Sequence, residues 1–424
     1  MLIRGEFIPL SPEMETLYLF NPENDMALAC GDPYYIAPAN ARRMAAELSA
    51  LPAWYADEGA AVWVDARRYA QIMKNPFPLP LPVEWVTEVS PIYNKVYPWG
   101  WSPALVHHLR EAGVAATVCP SGERMNHIRR LSGRHTAVEV LSRIRRGGPV
   151  CPPDGSWNSV FGRTHGSAPT VGESFTLHSL EEVEAFVLSH PTAILKAPWS
   201  GSGRGIQYTS GVFPVALKGW VHHILTTQQT LVGEPFYDKV LDFAMEFLAD
   251  AEGEVRFVGY SIFETDGRGS YKENRLAMDA DLEIQLAAYV PIEVLWQLRM
   301  ELSTELADVI KGDYEGYLGV DMMICRTVKQ GGEGYAIHPC VEINLRMNMG
   351  VVSRLIYDKY VCRGAHGRYV IEYYPHSGEA EQAHSCFRQQ YPLRVVDGRI
   401  KSGYLSLTPV GEDTAYQAYI IVEE

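Results

Sequence analysis

Thr16-Leu-Tyr-Leu-Phe20 is a short apolar run that ends in a polar turn, Asn21-Pro-Glu-Asn-Asp25. Its length and composition predict a strand. Ala39–Ser49 follows with Ala, Arg, Met and Leu at helical spacing. Ala61-Val-Trp-Val64 and Trp85–Val89 read as a second and a third strand. The Pro-rich stretch Pro76–Pro82 between them can be neither regular helix nor central strand. Ser102–Glu111 reads as a helix and Val114–Val118 as a further strand. Strands alternating with helices over about the first 120 residues predict an open α/β domain.

The pattern then changes. Asn126–Arg146 carries Arg, Leu and Val at helical spacing, and Gly147-Gly-Pro149 stops it. Cys151–Gly172 is rich in Gly, Pro and Ser and reads as an exposed loop or linker. Leu180–Ser189 predicts a helix with a Glu-rich face, Thr192–Lys196 a strand and Gly219–Thr227 a helix. Val240–Leu248 and Val255–Phe263 alternate as a strand pair, and Val294–Lys311 is a long amphipathic helix. Tyr317–Cys325 and Tyr335–Asn344 read as strands joined by the Gly-rich turn Lys329–Gly334. Beyond Gly350 come a helix and several strand-like segments.

Composition narrows the function classes. A chain of 424 residues has room for two or three domains, and 47% hydrophobic with 21% charged residues is ordinary for a globular protein. A formal charge of −14 argues against nucleic acid and anionic membranes as partners, because both require positive potential. The seven cysteines are scattered, odd in number and without CxxC spacing, which predicts reduced thiols rather than a disulfide framework or a zinc site. Met1–Glu6 lacks the basic start of a signal peptide, and no apolar run approaches the roughly 18 residues needed to span a bilayer. A soluble, cytoplasmic enzyme is the expectation.

The chemistry concentrates in three segments. Ala193-Ile-Leu-Lys196 reads as a strand delivering a lysine into a loop of small residues, Ser200, Gly201, Ser202, Gly203 and Gly205. Glycine lets such a backbone fold closely over phosphates. The lysine precedes the glycines, so the segment is not a P-loop, where it follows them. Glu342 and Asn344 are two apart, so on a strand both point to one face, and Arg346 continues that face. Asp321 sits inside the apolar run Tyr317–Ile324 and needs a cation once buried. Magnesium held by carboxylates and phosphate oxygens answers that need. A solvated polar edge strand is the alternative for Glu342, Asn344 and Arg346.

Taken together and in order, these segments resemble the ATP-grasp superfamily over roughly residues 120–350. The resemblance implies an α/β (α+β) fold: an N-terminal open α/β pre-ATP-grasp domain over residues 1–122, followed by the two-subdomain ATP-grasp fold. The first subdomain, 123–232, would carry the phosphate loop; the second, 233–424, would carry the metal site and a β-rich C-terminal extension. Lys196 would contact the α- and β-phosphates, and Ser200–Gly205 would form the lid. Asp321, Glu342 and Asn344 would bind magnesium, and Arg346 would stabilise the transferring phosphoryl group. Arg134 takes the place of a basic residue at the start of the first subdomain, with a surface arginine as the alternative.

Thr230–Tyr237 resembles the adenine hinge, with Glu234, Phe236 and Tyr237 at the base and Asp242 on the ribose, Asp238 being a rival. Ile194, Tyr237, Met323 and Val341 would sandwich the ring. Pro235 departs from the family pattern by losing a backbone N–H, and Leu345 replaces the proline that often precedes the arginine. Asn348 and Gly350, at a helix start, could receive an anionic substrate group. Asp266–Asn274, with Arg268, Tyr271 and Lys272, falls where a substrate-covering loop is expected. The activity implied is an ATP-dependent ligation of a small-molecule carboxylate to an amine through an acyl-phosphate. ATP and Mg2+ are the implied cofactors, two ions with Mn2+ as a substitute, and a homodimer is left open. A small-molecule kinase and a non-catalytic nucleotide-binding scaffold remain alternatives.

Overall fold

The computed structural model of the chain describes residues 16–147, 170–200, 205–265, 271–329 and 332–424. Met1–Glu6, most of Cys151–Gly172, the centre of the Lys329–Gly334 turn, Gly201–Gly203 and Arg268 lie outside the described residues. Among the described residues every cysteine is free.

The N-terminal segment folds as the alternating pattern predicts. Strands β1 (Thr16–Leu19), β2 (Ala61–Trp63), β3 (Glu84–Val86) and β4 (Lys95–Pro98) form a parallel sheet in the order β3-β2-β1-β4. The order reverses between β1 and β4, and the crevice beyond such a switch point is where open α/β sheets take ligands. Asn21 follows β1 and Gly100 follows β4, and they bond to each other: Asn21 Nδ2 donates to the Gly100 carbonyl at 2.8 Å, and the Gly100 N–H donates to Asn21 Oδ1 at 3.3 Å.

Two local expectations are corrected. Val114–Val118 is not a strand: the Val114 N–H donates to the Leu109 carbonyl and the Val118 N–H to Ala115, closing turns beneath the helix Pro103–Glu111. The fourth strand is Lys95–Pro98 instead. The helical run Asn126–Arg146 is two helices, Gly122–Leu131 and Arg134–Gly147. Ser132 and Gly133 break it, and the Arg134 N–H donates to the Pro198 carbonyl at 3.0 Å rather than continuing the first helix. Each half has helical spacing of its own, so the stretch reads as a single helix.

β5 (Phe175–Leu177), β6 (Ala193–Lys196), β7 (Ile206–Thr209) and β8 (Leu231–Pro235) form an antiparallel sheet in the order β5-β8-β6-β7. The helices Leu180–Ser189 and Val215–Gln228 cover it through Val183, Val187, Val221 and Ile224. The remaining strands are β9 (Lys239–Ala249), β10 (Val255–Thr265), β11 (Tyr271–Leu276), β12 (Gly316–Lys329), β13 (Gly332–Asn344), β14 (His366–Tyr373), β15 (Arg394–Val396), β16 (Arg399–Ser406) and β17 (Tyr416–Glu423). They build one nine-stranded antiparallel sheet, β13-β12-β9-β10-β11-β14-β17-β16-β15.

A shared core joins the first domain to the far end of this sheet. Phe20, Leu48, Trp54 and Trp99 pack with Ile356 and Leu405, and Trp54 Nε1 donates to the Leu407 carbonyl at 2.7 Å. Trp54 is fully buried, so its indole N–H finds the partner that burial requires.

Candidate active site

The site grows from strand register. On β12 and β13, Asp321 lies opposite Glu342 and Gly319 opposite Asn344. On β9, Ala244 lies opposite Asp321, Asp242 opposite Met323 and Glu246 opposite Gly319. Directly opposed residues share a face and side chains alternate with period two, so Asp242, Glu246, Asp321, Glu342 and Asn344 line one face of the sheet. Burial, then the charge of Glu342, pushes the Asp321 carboxyl up to about 7, against the pull of Asn344 and Arg346. Two carboxylates held this close, with an amide oxygen beside them, suit a hard divalent cation.

Three cations meet this face, each already paired with a carboxylate. Arg134 is buried at the start of its helix and donates to the Ala197 carbonyl (2.6 Å), to Ser200 Oγ (2.6 Å) and to both Glu342 oxygens (2.9 and 2.8 Å). It thereby ties the chain after Lys196 to the proposed metal strand. Lys196 Nζ lies 2.6 Å from Glu234 Oε2, both groups buried. Arg346 forms a fork onto Asp25, at 2.9 Å to Oδ1 and 2.7 Å to Oδ2. Burial works against ionisation of Asp25, but Arg346 outweighs it and holds the carboxyl below the ordinary range. Asp25 lies in the first turn of the helix Asn24–Cys30, which follows β1, so the N-terminal switch point opens onto the same cleft. Asn24, Asp25, Trp199, Ser200, Glu342 and Arg346 are among the residues that line it.

The residues expected to enclose the base come from both antiparallel sheets. Ile194 is opposite Glu234 in the β6–β8 pair, and Met323 is opposite Asp242 on one side and His338 on the other. The Tyr237 ring sits 5.4 Å from His338, bringing the hinge against β13, where Val341 also lies. The Phe236 N–H donates to the Thr192 carbonyl at 3.1 Å, so this hinge donor is engaged, and the ring itself is exposed. Asp242 accepts from Lys239 Nζ at 2.5 Å and Thr265 Oγ1 at 3.1 Å, while Asp238 pairs with Arg326 at 3.3 Å. His338 is fully buried with neither ring nitrogen hydrogen-bonded among the described residues, and burial pushes its pKa down to about 4.

Glu246 escapes the sequence reading, because an acid in the alternating run Val240–Leu248 looks like a solvent-facing residue. The strand buries it. Asn348 Nδ2 donates to Glu246 Oε2 at 2.8 Å, and Asn348 Oδ1 caps the helix Met349–Tyr360 by accepting the Val351 N–H at 3.0 Å. Burial pushes Glu246 up to about 8, Asn348 opposing and Asp321 reinforcing the shift. A Cβ on Gly350 would collide with this carboxylate, which accounts for glycine at that position.

The structure does not bring Tyr271 and Lys272 to the site. Both are on β11, on the far side of β10 from β9 and β12. Tyr271 is drawn into the core shared with the N-terminal domain, its hydroxyl donating to the Tyr369 carbonyl at 3.3 Å, and Lys272 pairs with Glu264 at 3.0 Å. Of the glycine loop, Ser200 and Gly205 are described; the Gly205 carbonyl accepts the Ala197 N–H at 2.8 Å and closes the loop base. Among the described residues no group of three His, Cys, Asp or Glu side chains is arranged to hold a metal, and Glu342 is turned onto Arg134. No helix among them is long and apolar enough to cross a membrane.

No protein-family model matches the chain, and no curated protein is similar to it in sequence. Solved structures similar to it include biotin carboxylase from Campylobacter jejuni in complex with β,γ-ATP, at 13% identity and TM-score 0.48, covering 97% of this chain and 88% of that one. N5-carboxyaminoimidazole synthetase from Staphylococcus aureus, complexed with ADP, is similar at 8% identity and TM-score 0.47, covering 97% and 93%. The biotin carboxylase domain of Hydrogenobacter thermophilus 2-oxoglutarate carboxylase is similar at 12% identity and TM-score 0.48, covering 97% and 86%.

Proposed function

We propose that this chain is an ATP-grasp enzyme, an ATP- and magnesium-dependent ligase that joins a carboxylate to an amine through an acyl-phosphate. The observation that carries the reading is Arg134, which bonds at once to the loop after Lys196 and to Glu342 on the acidic face. A cation, a phosphate loop and hard oxygen donors thus sit between two sheets, as a metal-bound triphosphate requires.

Asp321, Glu342 and Asn344 would hold Mg2+, or Mn2+ in its place, which neutralises charge on the β- and γ-phosphates. Lys196 and Arg134 would bind the phosphates, while Ile194, Tyr237, Met323 and Val341 enclose the base and Asp242 holds the ribose. Arg346, oriented by Asp25, faces the oxygens on which charge develops during phosphoryl transfer. The crevice beyond β1 and β4 holds the acceptor, because Asp25 connects that crevice to Arg346. No side chain serves as nucleophile: the carboxylate attacks the γ-phosphorus, ADP leaves, the amine attacks the acyl carbon and phosphate leaves.

The test is stoichiometry. With ATP, magnesium and panels of carboxylates and amines, the ligase releases one ADP and one phosphate per amide formed, and little phosphate without the amine. A stable phosphorylated product formed without amine would replace the ligase by a kinase. Tight ATP binding with no turnover across the panels would leave a scaffold.

A further inference from the structure

An open cleft of about 360 Å³ lies beside the helix Met349–Tyr360, outside the site described above. Three arginines from different elements line it: Arg354 on the helix, Arg363 in the turn after it and Arg399 at the start of β16. Two carboxylates, Asp279 and Asp358, share the cleft, so its charge is net positive on a chain of −14.

The three guanidiniums are engaged to different degrees. Arg354 is buried and fully occupied: it donates to both Asp358 oxygens (3.1 and 2.5 Å) and to the Ala277 carbonyl (2.8 Å), and stacks on Tyr357 at 4.7 Å. Its stem lies where a Cβ on Gly259 would stand, so the wall it forms is fixed. Among the described residues Arg399 bonds through Nη1 alone, which donates to the Asp358 and Val361 carbonyls at 2.9 Å each and aims the rest of the fork. Arg363 makes no hydrogen bond or ion pair among the described residues. Met278 and Val361 add apolar surface beside these charges.

Among the described residues packing engages neither Arg363, which is exposed, nor the remaining N–H groups of Arg399, so these donors are open to an anion. A planar fork with open donors matches the paired oxygens of a phosphate or carboxylate, and arginine is the residue suited to that geometry. We propose that this cleft is a second ligand site, binding a small organic anion through Arg363 and Arg399 while its carbon portion rests on Met278 and Val361. The proposal is independent of the nucleotide reading.

Equilibrium titration of the full chain with inorganic phosphate, and separately with citrate, tests it and separates a phosphate ligand from a carboxylate one. The parent binds one or both anions at millimolar concentration. Arg363→Gln melts like the parent without anion, because that side chain is exposed and bonds to nothing among the described residues, yet its affinity falls about tenfold or more, the scale of one lost charge-assisted hydrogen bond. Equal affinity in Arg363→Gln and the parent overturns the proposal, as does absence of binding by both anions.

Discussion

Arg134 Nη2 lies 2.9 and 2.8 Å from the two carboxylate oxygens of Glu342, so the cation proposed for phosphate and the carboxylate proposed for metal hold each other. The same balance recurs at Lys196–Glu234 and Arg346–Asp25. Charges drawn out of water need such partners. A triphosphate entering with a divalent cation offers each member of the Arg134–Glu342 pair a replacement: phosphate oxygens for the guanidinium, metal for the carboxylate.

Glu342→Gln keeps an oxygen that can accept from Arg134, so the fold is expected to survive. It removes the negative charge that the metal needs. Turnover is expected to fall by about 100-fold or more, the scale of losing one group that stabilises transition-state charge. Steady-state rates over a magnesium titration check this, and near-parent activity at ordinary magnesium would remove Glu342 from the metal site.

Lys196→Met leaves Glu234 buried without its cation, which is expected to cost about 3–5 kcal/mol of stability. Adding Glu234→Gln is expected to recover most of that loss. Affinity for an ATP analogue stays low in both variants, by about 1–3 kcal/mol, if Lys196 contacts phosphate. Denaturant melts and calorimetry separate the two effects. Restored affinity in the double variant would mean that Lys196 serves packing alone.

Glu246 gives the protein a pH signature. Its pKa is raised from 4.5 to about 8 by burial, so the folded state holds a proton that the unfolded chain releases. Stability is therefore fully present below the unfolded value and is lost as pH rises toward about 8. Glu246→Gln removes this titration, so its stability relative to the parent is expected to climb with pH over that window. Thermal midpoints of both proteins across the window check the sign; a constant difference would contradict it. Asp321, also raised, repels Glu246, so removing the Glu246 charge eases Asp321 ionisation as well and acts in the same direction.

Trp54→Ala is expected to cost about 3–5 kcal/mol, the range for truncating a buried aromatic. It also frees the Leu407 carbonyl, which lies in the C-terminal part of the chain. Near-UV signals and protection of the C-terminal strands are expected to be lost with those of the N-terminal sheet. Loss confined to the N-terminal sheet would show that this shared core does not couple the two.

Most elements were legible because their signals are local: alternation in β9 and β10, helical spacing in Ile292–Ile310, a lysine at the end of β6. The break at Ser132-Gly133 was not, since each side carries helical spacing of its own and no proline separates them. Nor was β4, whose Lys95-Val-Tyr-Pro98 has little apolar run and is held by pairing with β1. The acidic face was readable on β13, where Glu342 and Asn344 are two apart. Its extension across β12 and β9 depends on register, which no single strand encodes, and so Glu246 was missed. Asp25 was missed for a related reason: its partner, Arg346, lies 321 positions away in the chain.

The central claim is that Arg134 and Glu342 exchange each other for phosphate and metal. The direct measurement is calorimetric titration of a non-hydrolysable ATP analogue with and without magnesium, on the parent and on Arg134→Met. In the parent, magnesium is expected to tighten nucleotide binding at a single site by about tenfold or more, a coupling of ordinary size between two ligands. In Arg134→Met the nucleotide is expected to bind more weakly, while magnesium alone binds more tightly because Glu342 has been released. Nucleotide affinity indifferent to magnesium and unchanged in Arg134→Met would contradict the account.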